Sequence, residues 1–134
     1  KIRNIKMGTS AMIGKIMPDG SVTATYCHYD GYVSYMGRLL SQSYNTPELA
    51  KTVAETGYLS ALTEDLESSK ERAVHKNPPA KYNKAETFLK CGDNREGANY
   101  LYLFDGQDWL VSSTQFRGRD RFWTLVSDVL KKSA

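Results

Sequence analysis

Thr25-Tyr26-Cys27-His28-Tyr29-Asp30-Gly31-Tyr32 is the stretch on which the reading of this chain turns. It holds three tyrosines, a thiol, an imidazole and a carboxylate, including one of the chain's two cysteines and one of its two histidines. A change of period falls inside it. Upstream, Val22, Ala24, Tyr26 and His28 alternate with Thr23, Thr25, Cys27 and Tyr29, as the two faces of a strand do. Downstream, Val33, Met36, Leu40 and Tyr44 recur at helical spacing, with Leu39 beside them. Asp30 stands where a helix cap would. The stretch therefore reads as a strand-to-helix corner, with Cys27 and His28 pointing to opposite sides of a sheet. A thiolate–imidazole pair from these two neighbours is not expected.

Toward the N-terminus, Pro18-Asp19-Gly20 has turn chemistry: proline presets φ, aspartate bonds back to the backbone and glycine accepts positive φ. It predicts a hairpin between residues 9–17 and 21–28, preceded by a short strand or frayed arm over 1–7. Toward the C-terminus, Asn45 ends the first helix. Thr46-Pro47-Glu48 then opens a second with a cap, a proline at the first helical position and a carboxylate at the positive dipole end. Leu49, Ala50, Val53 and Ala54 form its expected buried stripe, and Gly57 its stop. Residues 58–62 pack down as an apolar link. Residues 64–84 are polar and carry Pro78-Pro79. They read as an irregular, mobile excursion with one helical turn near 65–72.

Regular structure is expected to resume with a strand over 85–91, marked by Phe88 and Leu89. A glycine-bracketed turn over 92–97 follows, then Tyr100-Leu101-Tyr102-Leu103-Phe104, apolar on both faces like a central strand. Asp105-Gly106 joins it to a strand over 107–111 as a hairpin. A last helix is expected from Asp120 as cap, with Phe122, Leu125, Val126 and Val129 on one side and Lys131 and Lys132 in its last turn. The expected fold is a single α+β domain over 1–134. Its antiparallel sheet, the N-terminal hairpin plus three later strands, is covered by two central helices and a C-terminal helix.

Composition narrows the function classes. The 134 residues are 40% hydrophobic and 25% charged, ordinary for one globular domain. No apolar run approaches the roughly 18 to 20 residues of a membrane span, and no secretory h-region is seen, so neither membrane nor export is expected. Two distant cysteines make no disulfide framework and suit a reducing cytoplasm. With 18 basic against 15 acidic residues, the net charge of +3 permits a phosphate-bearing partner without requiring one.

Three chemistries are weighed on named residues. Tyr26, His28 and Asp30, with Arg95 as an anion clamp, would be the acid–base set of a small enzyme. The competing reading has the same residues bracing the corner. No Gly-x-Ser-x-Gly elbow, Walker loop or G-x-G-x-x-G is present. Cys27, His28, His75 and Cys91 are potential zinc ligands, but no Cys-x-x-Cys knuckle joins them, so neither metal nor other cofactor is expected. Arg117, Arg119 and Arg121 cluster at an expected helix start, with Arg95 and Lys90 expected near them and Phe116, Phe122 and Trp123 close by for stacking on a base. They are the candidate nucleotide or nucleic-acid site.

The Tyr26-Cys27-His28-Tyr29-Asp30-Gly31-Tyr32 corner resembles that of a group of small proteins of tailed, T-even-type bacteriophages, which carry Tyr-Cys-His-aromatic-Asp-Gly-Tyr after an opening hairpin. Gly57-Tyr58-Leu59-Ser60-Ala61-Leu62 matches their Gly-x-Leu-Ser-x-Leu element. Residues 91–97 and 100–109 match their charged turn, aromatic strand and Asp-Gly hairpin ending in tryptophan. The likeness covers most of residues 9–111. Tyr29 replaces the commoner tryptophan, Val33 a usual proline, and the C-terminal helix lies outside the match. The resemblance implies a virus-encoded accessory protein in the cytoplasm of an infected bacterium. The resulting expectation is a non-enzymatic protein that binds a host protein or assembles with itself.

Overall fold

The Pro18-Asp19-Gly20 turn closes a hairpin between β1 (Ala11–Ile16) and β2 (Val22–Cys27). The register runs from Ile16 opposite Val22 to Ala11 opposite Cys27. Asp19 fastens the turn by accepting from Ser21 Oγ at 2.6 Å and Ser21 N at 3.0 Å. The computed structural model describes residues 9–94, 97–116 and 120–133, so the arm expected over 1–7 lies outside it.

After the corner, a π-helical turn (Val33–Gly37) runs directly into α1 (Arg38–Ser43). Asp30 is not its cap. Its φ of 62° places it in the left-handed region, and the helix starts from Tyr32 with no side-chain cap bond. The second helix, α2 (Pro47–Ala54), follows its sequence signals: Thr46 Oγ1 accepts from Leu49 N at 3.2 Å. Leu49 itself is exposed, leaving Ala50, Val53 and Ala54 as the buried stripe.

Residues 58–84 depart furthest from expectation. Tyr58–Leu59 is a strand, β3, parallel to β2, and Ala80–Tyr82 is a strand, β4, antiparallel to it. Between them lies α3 (Leu66–Glu71), where a helical turn is expected, capped by Asp65 accepting from Ser68 N at 3.1 Å. The excursion is thus tied to the sheet at both ends. Residues 85–91 form a helix, α4 (Ala85–Cys91), not the expected strand. Its alanine, glutamate, leucine and lysine favour helix, Glu86 and Lys90 suit the dipole, and Phe88 is its buried apolar anchor.

The Asp-Gly hairpin joins β5 (Tyr100–Phe104) to β6 (Trp109–Ser113) with Phe104 opposite Trp109. Asp105 holds the loop by accepting from Gln107 N and Asp108 N. The last helix begins later than Asp120 predicts. Thr124–Leu125 is first taken as a strand, β7, against β6, and α5 runs Val126–Ser133.

The described residues thus form one mixed seven-stranded sheet in the order β3-β2-β1-β5-β6-β7, with β4 also beside β2. It is not purely antiparallel, because β5 returns beside β1 in parallel after the long helical crossover. Each face has its own core. Ala11, Ile13, Cys27, Tyr102 and Phe104 pack under α1, α2 and α5, while Met12, Val22, Ala24, Leu101 and Leu103 pack with Phe88 of α4. The two faces read from the alternation in β2 look into these two cores, and β5, apolar on both faces, contributes to each.

Candidate functional site

The corner is hydrogen-bonded to three other segments of the chain. His28 N donates to Leu59 O at 3.0 Å and Tyr29 N to Ser60 O at 2.8 Å, continuing the β2–β3 pairing past the strand end. Gly31 N donates to Thr9 O at 2.9 Å, and Tyr102 OH donates to Gly31 O at 2.7 Å from beneath. Gly31 lies so close to Ser10 that a Cβ there would stand 2.8 Å from the Ser10 carbonyl carbon, so no larger residue fits. Burial pushes the Tyr102 phenol well above its ordinary value, which keeps it a donor.

Within this brace, Tyr26 is only 8% exposed and its hydroxyl lies 2.9 Å from His28 Nδ1. Among the described residues no hydrogen bond or ion pair joins His28 to Asp30. Tyr26 and His28 therefore meet, and Asp30 is not brought to them. Cys27 points into the other core, and burial pushes its thiol up to about 12, so it holds its proton at neutral pH. The potential zinc ligands are likewise dispersed: no group of three or more such side chains occurs among the described residues.

The arginine cluster resolves differently from its sequence reading. Arg117 and Arg119, and also Arg95, lie outside the described residues. Arg121 is 8% exposed, and each guanidinium nitrogen has an internal acceptor. It meets Asp93 Oδ1 and Oδ2 at 3.0 and 2.9 Å. Nε donates to Phe116 O at 2.6 Å, and the terminal nitrogens also reach Leu89, Lys90 and Thr114 carbonyls at 3.1 to 3.2 Å. A buried arginine must be paired in this way. It is a clamp for the C-terminal end of α4, not a fork for phosphate. Trp123 stacks on Phe88, ring centroids 5.9 Å apart, and belongs to the packing over α4.

Two surface features were not legible as sites. One is an apolar recess of about 180 Å³ between β6 and α5, lined by Val33, Tyr100, Val111, Phe116, Phe122 and Val129. Phe116 and Phe122 are 45% and 61% exposed, a high cost in water for two phenylalanines 6.3 Å apart. The other is a polar recess of about 350 Å³ beside β3, lined by Thr56, Tyr58, Lys70, His75, Lys76 and Asn77. A run of touching rings, Tyr29, His28, Tyr26, Tyr58 and His75, leads along the sheet edge into it. Gly57 lies beneath Asn77 at the edge of that recess. Its φ is +91°, and a Cβ would fall 1.7 Å from Asn77 O, so the main chain of residues 77–78 can lie directly on it.

No helix among the described residues is long and apolar enough to cross a membrane. Neither a protein-family profile, nor a curated protein, nor a solved structure matches the chain.

Proposed function

We propose that this chain is a non-enzymatic accessory protein of a tailed bacteriophage, acting in the cytoplasm of the infected host by binding a host protein. The observation that carries the non-catalytic half is the corner: Tyr26 is buried, its hydroxyl is committed to His28 Nδ1, and Asp30 stands apart from both. A general acid–base set needs a reachable proton and a substrate beside it. Here the Tyr26 and His28 main-chain N–H groups fasten the end of β2 to the segment that carries β3, donating to Gly57 O at 3.2 Å and Leu59 O at 3.0 Å. The binding half is supported by the exposed Phe116–Phe122 pair and the apolar recess beneath it, because aromatic side chains around a shallow pocket are what protein interfaces concentrate. The viral and cytoplasmic parts of the reading rest on the corner motif of the sequence.

The test is co-purification of a tagged chain from the bacterial host, beside a Phe116→Ser/Phe122→Ser variant checked for unchanged unfolding. A host protein recovered one-to-one with the parent chain and lost with the variant is expected. A chain that instead dimerises with rising concentration, dissociating on the same substitutions, would assign the recess to self-assembly. Recovery of the same partner by both chains would remove the recess from the reading.

A further inference from the structure

The polar recess beside β3 concentrates charge as well as rings. Residues 70–84 contain five Lys or Arg and one acidic residue, Glu71. The rest of the chain then has 13 basic against 14 acidic residues, so the whole positive excess resides in this one segment. The acidic side chains that precede it, Glu64 and Glu67, line a separate hollow against α2 together with Glu55. Thr56 and Lys70 border both, and the contact of Lys70 with Glu67 at 3.4 Å is between exposed groups, which costs little to exchange.

The recess has the parts that recognition of a phosphorylated base requires. Lys70 and Lys76 supply ammonium groups, Thr56 and Asn77 supply neutral polar groups, and no carboxylate is among the lining residues. The exposed His75 ring meets Tyr58 nearly at right angles, centroids 5.0 Å apart, and so makes a two-walled aromatic corner. From there the rings continue by way of Tyr58 and buried Tyr26 to half-buried His28 and exposed Tyr29. The site is preformed: Asn77 and Pro78 are seated on Gly57, Pro78-Pro79 stiffens the approach, and β4 anchors the far end on β2.

We propose that this recess seats the phosphate and base of one unit of a single-stranded nucleic acid, with Lys70 and Lys76 on the phosphate and the His75 and Tyr58 rings against the base. The strand continues along the ring edge toward Tyr29. This assignment is independent of the host-protein reading, which uses a different surface. It also moves nucleic-acid binding away from Arg121, whose donors are all consumed internally.

Fluorescence anisotropy with labelled ten-nucleotide DNA and RNA strands tests it on the intact chain. Two phosphate contacts on a single strand predict about sevenfold weaker binding between 50 and 200 mM salt. Lys70→Gln/Lys76→Gln should lower the slope of log K against log salt by about 1.4. His75→Ala, an exposed position, should weaken binding about fivefold or more with the salt slope unchanged. Binding that ignores these substitutions overturns the site. So does absence of binding at 50 mM salt. AMP competing as well as the strand would assign a free mononucleotide and overturn the strand, and duplex DNA or heparin competing as well would show that charge alone is read and overturn the base contact.

Discussion

Removing the carboxylate opposite Arg121 is the sharpest test of how this fold is held. Asp93→Ala leaves a guanidinium whose side chain is 6% exposed with only carbonyls for partners, while Asp93 itself is 21% exposed. Breaking a buried pair from one side costs about 3 to 5 kcal/mol. Partial exposure of the carboxylate places this case near the lower end, about 3 kcal/mol. For a chain of this length that corresponds to a fall in Tm on the order of 10 °C. Urea unfolding followed by tryptophan fluorescence and circular dichroism measures it, with the m-value as a check that the native state is unchanged. The double variant Asp93→Ala/Arg121→Met removes the stranded charge and should be more stable than Asp93→Ala alone. A loss under about 1 kcal/mol for Asp93→Ala, or a double variant worse than the sum of its singles, would refute the clamp.

Other perturbations follow from the same geometry. Gly57→Ala should destabilise by more than about 2 kcal/mol in urea unfolding, since it needs left-handed backbone and drives a methyl into Asn77 O. Parental stability there would mean that residues 77–78 do not rest on Gly57. Tyr102→Phe, which keeps the ring and deletes the donor to Gly31 O, should cost about 1 to 2 kcal/mol. A neutral result would take Tyr102 out of the corner's brace. The Cys27 thiol is raised by burial from its ordinary 9.0 to about 12, so the unfolded chain ionises first. Its contribution is fully present below about pH 9 and is lost at about 1.4 kcal/mol per pH unit between there and about 12. Tyr44, raised mainly by burial from 10.0 to about 12, adds to the loss above pH 10. Unfolding midpoints from pH 8 to 11 should therefore fall, and fall less in Cys27→Ala.

Elements whose signal is local stand where the sequence places them. Thr46-Pro47-Glu48 and Asp105-Gly106 specify their own geometry through caps and turns, and both appear where expected. Alternation along β2 separated Cys27 from His28 because strand side chains have a period of two. The errors have a common origin. Ala85–Cys91 is a short run with a single large buried side chain, and so little apolar pattern does not distinguish strand from helix. Tyr58–Leu59 and Ala80–Tyr82 are two- and three-residue strands that exist because β2 offers an edge, a property of neither segment alone. Arg121 looked like a surface cation because its partner lies 28 residues away in a polar turn.

Residue order alone settled the opening hairpin, the corner with its faces, the capped α2 and the aromatic hairpin, all contacts between near neighbours. Tertiary structure alone decided that β5 returns parallel to β1, that Arg121 is enclosed, and that Tyr58, Lys70, His75 and Lys76 share one recess. The division follows from range: caps, turns and periodicity act over a few residues, whereas pairing partners and surface hollows arise only when distant segments compete for the same sheet edge and the same buried space.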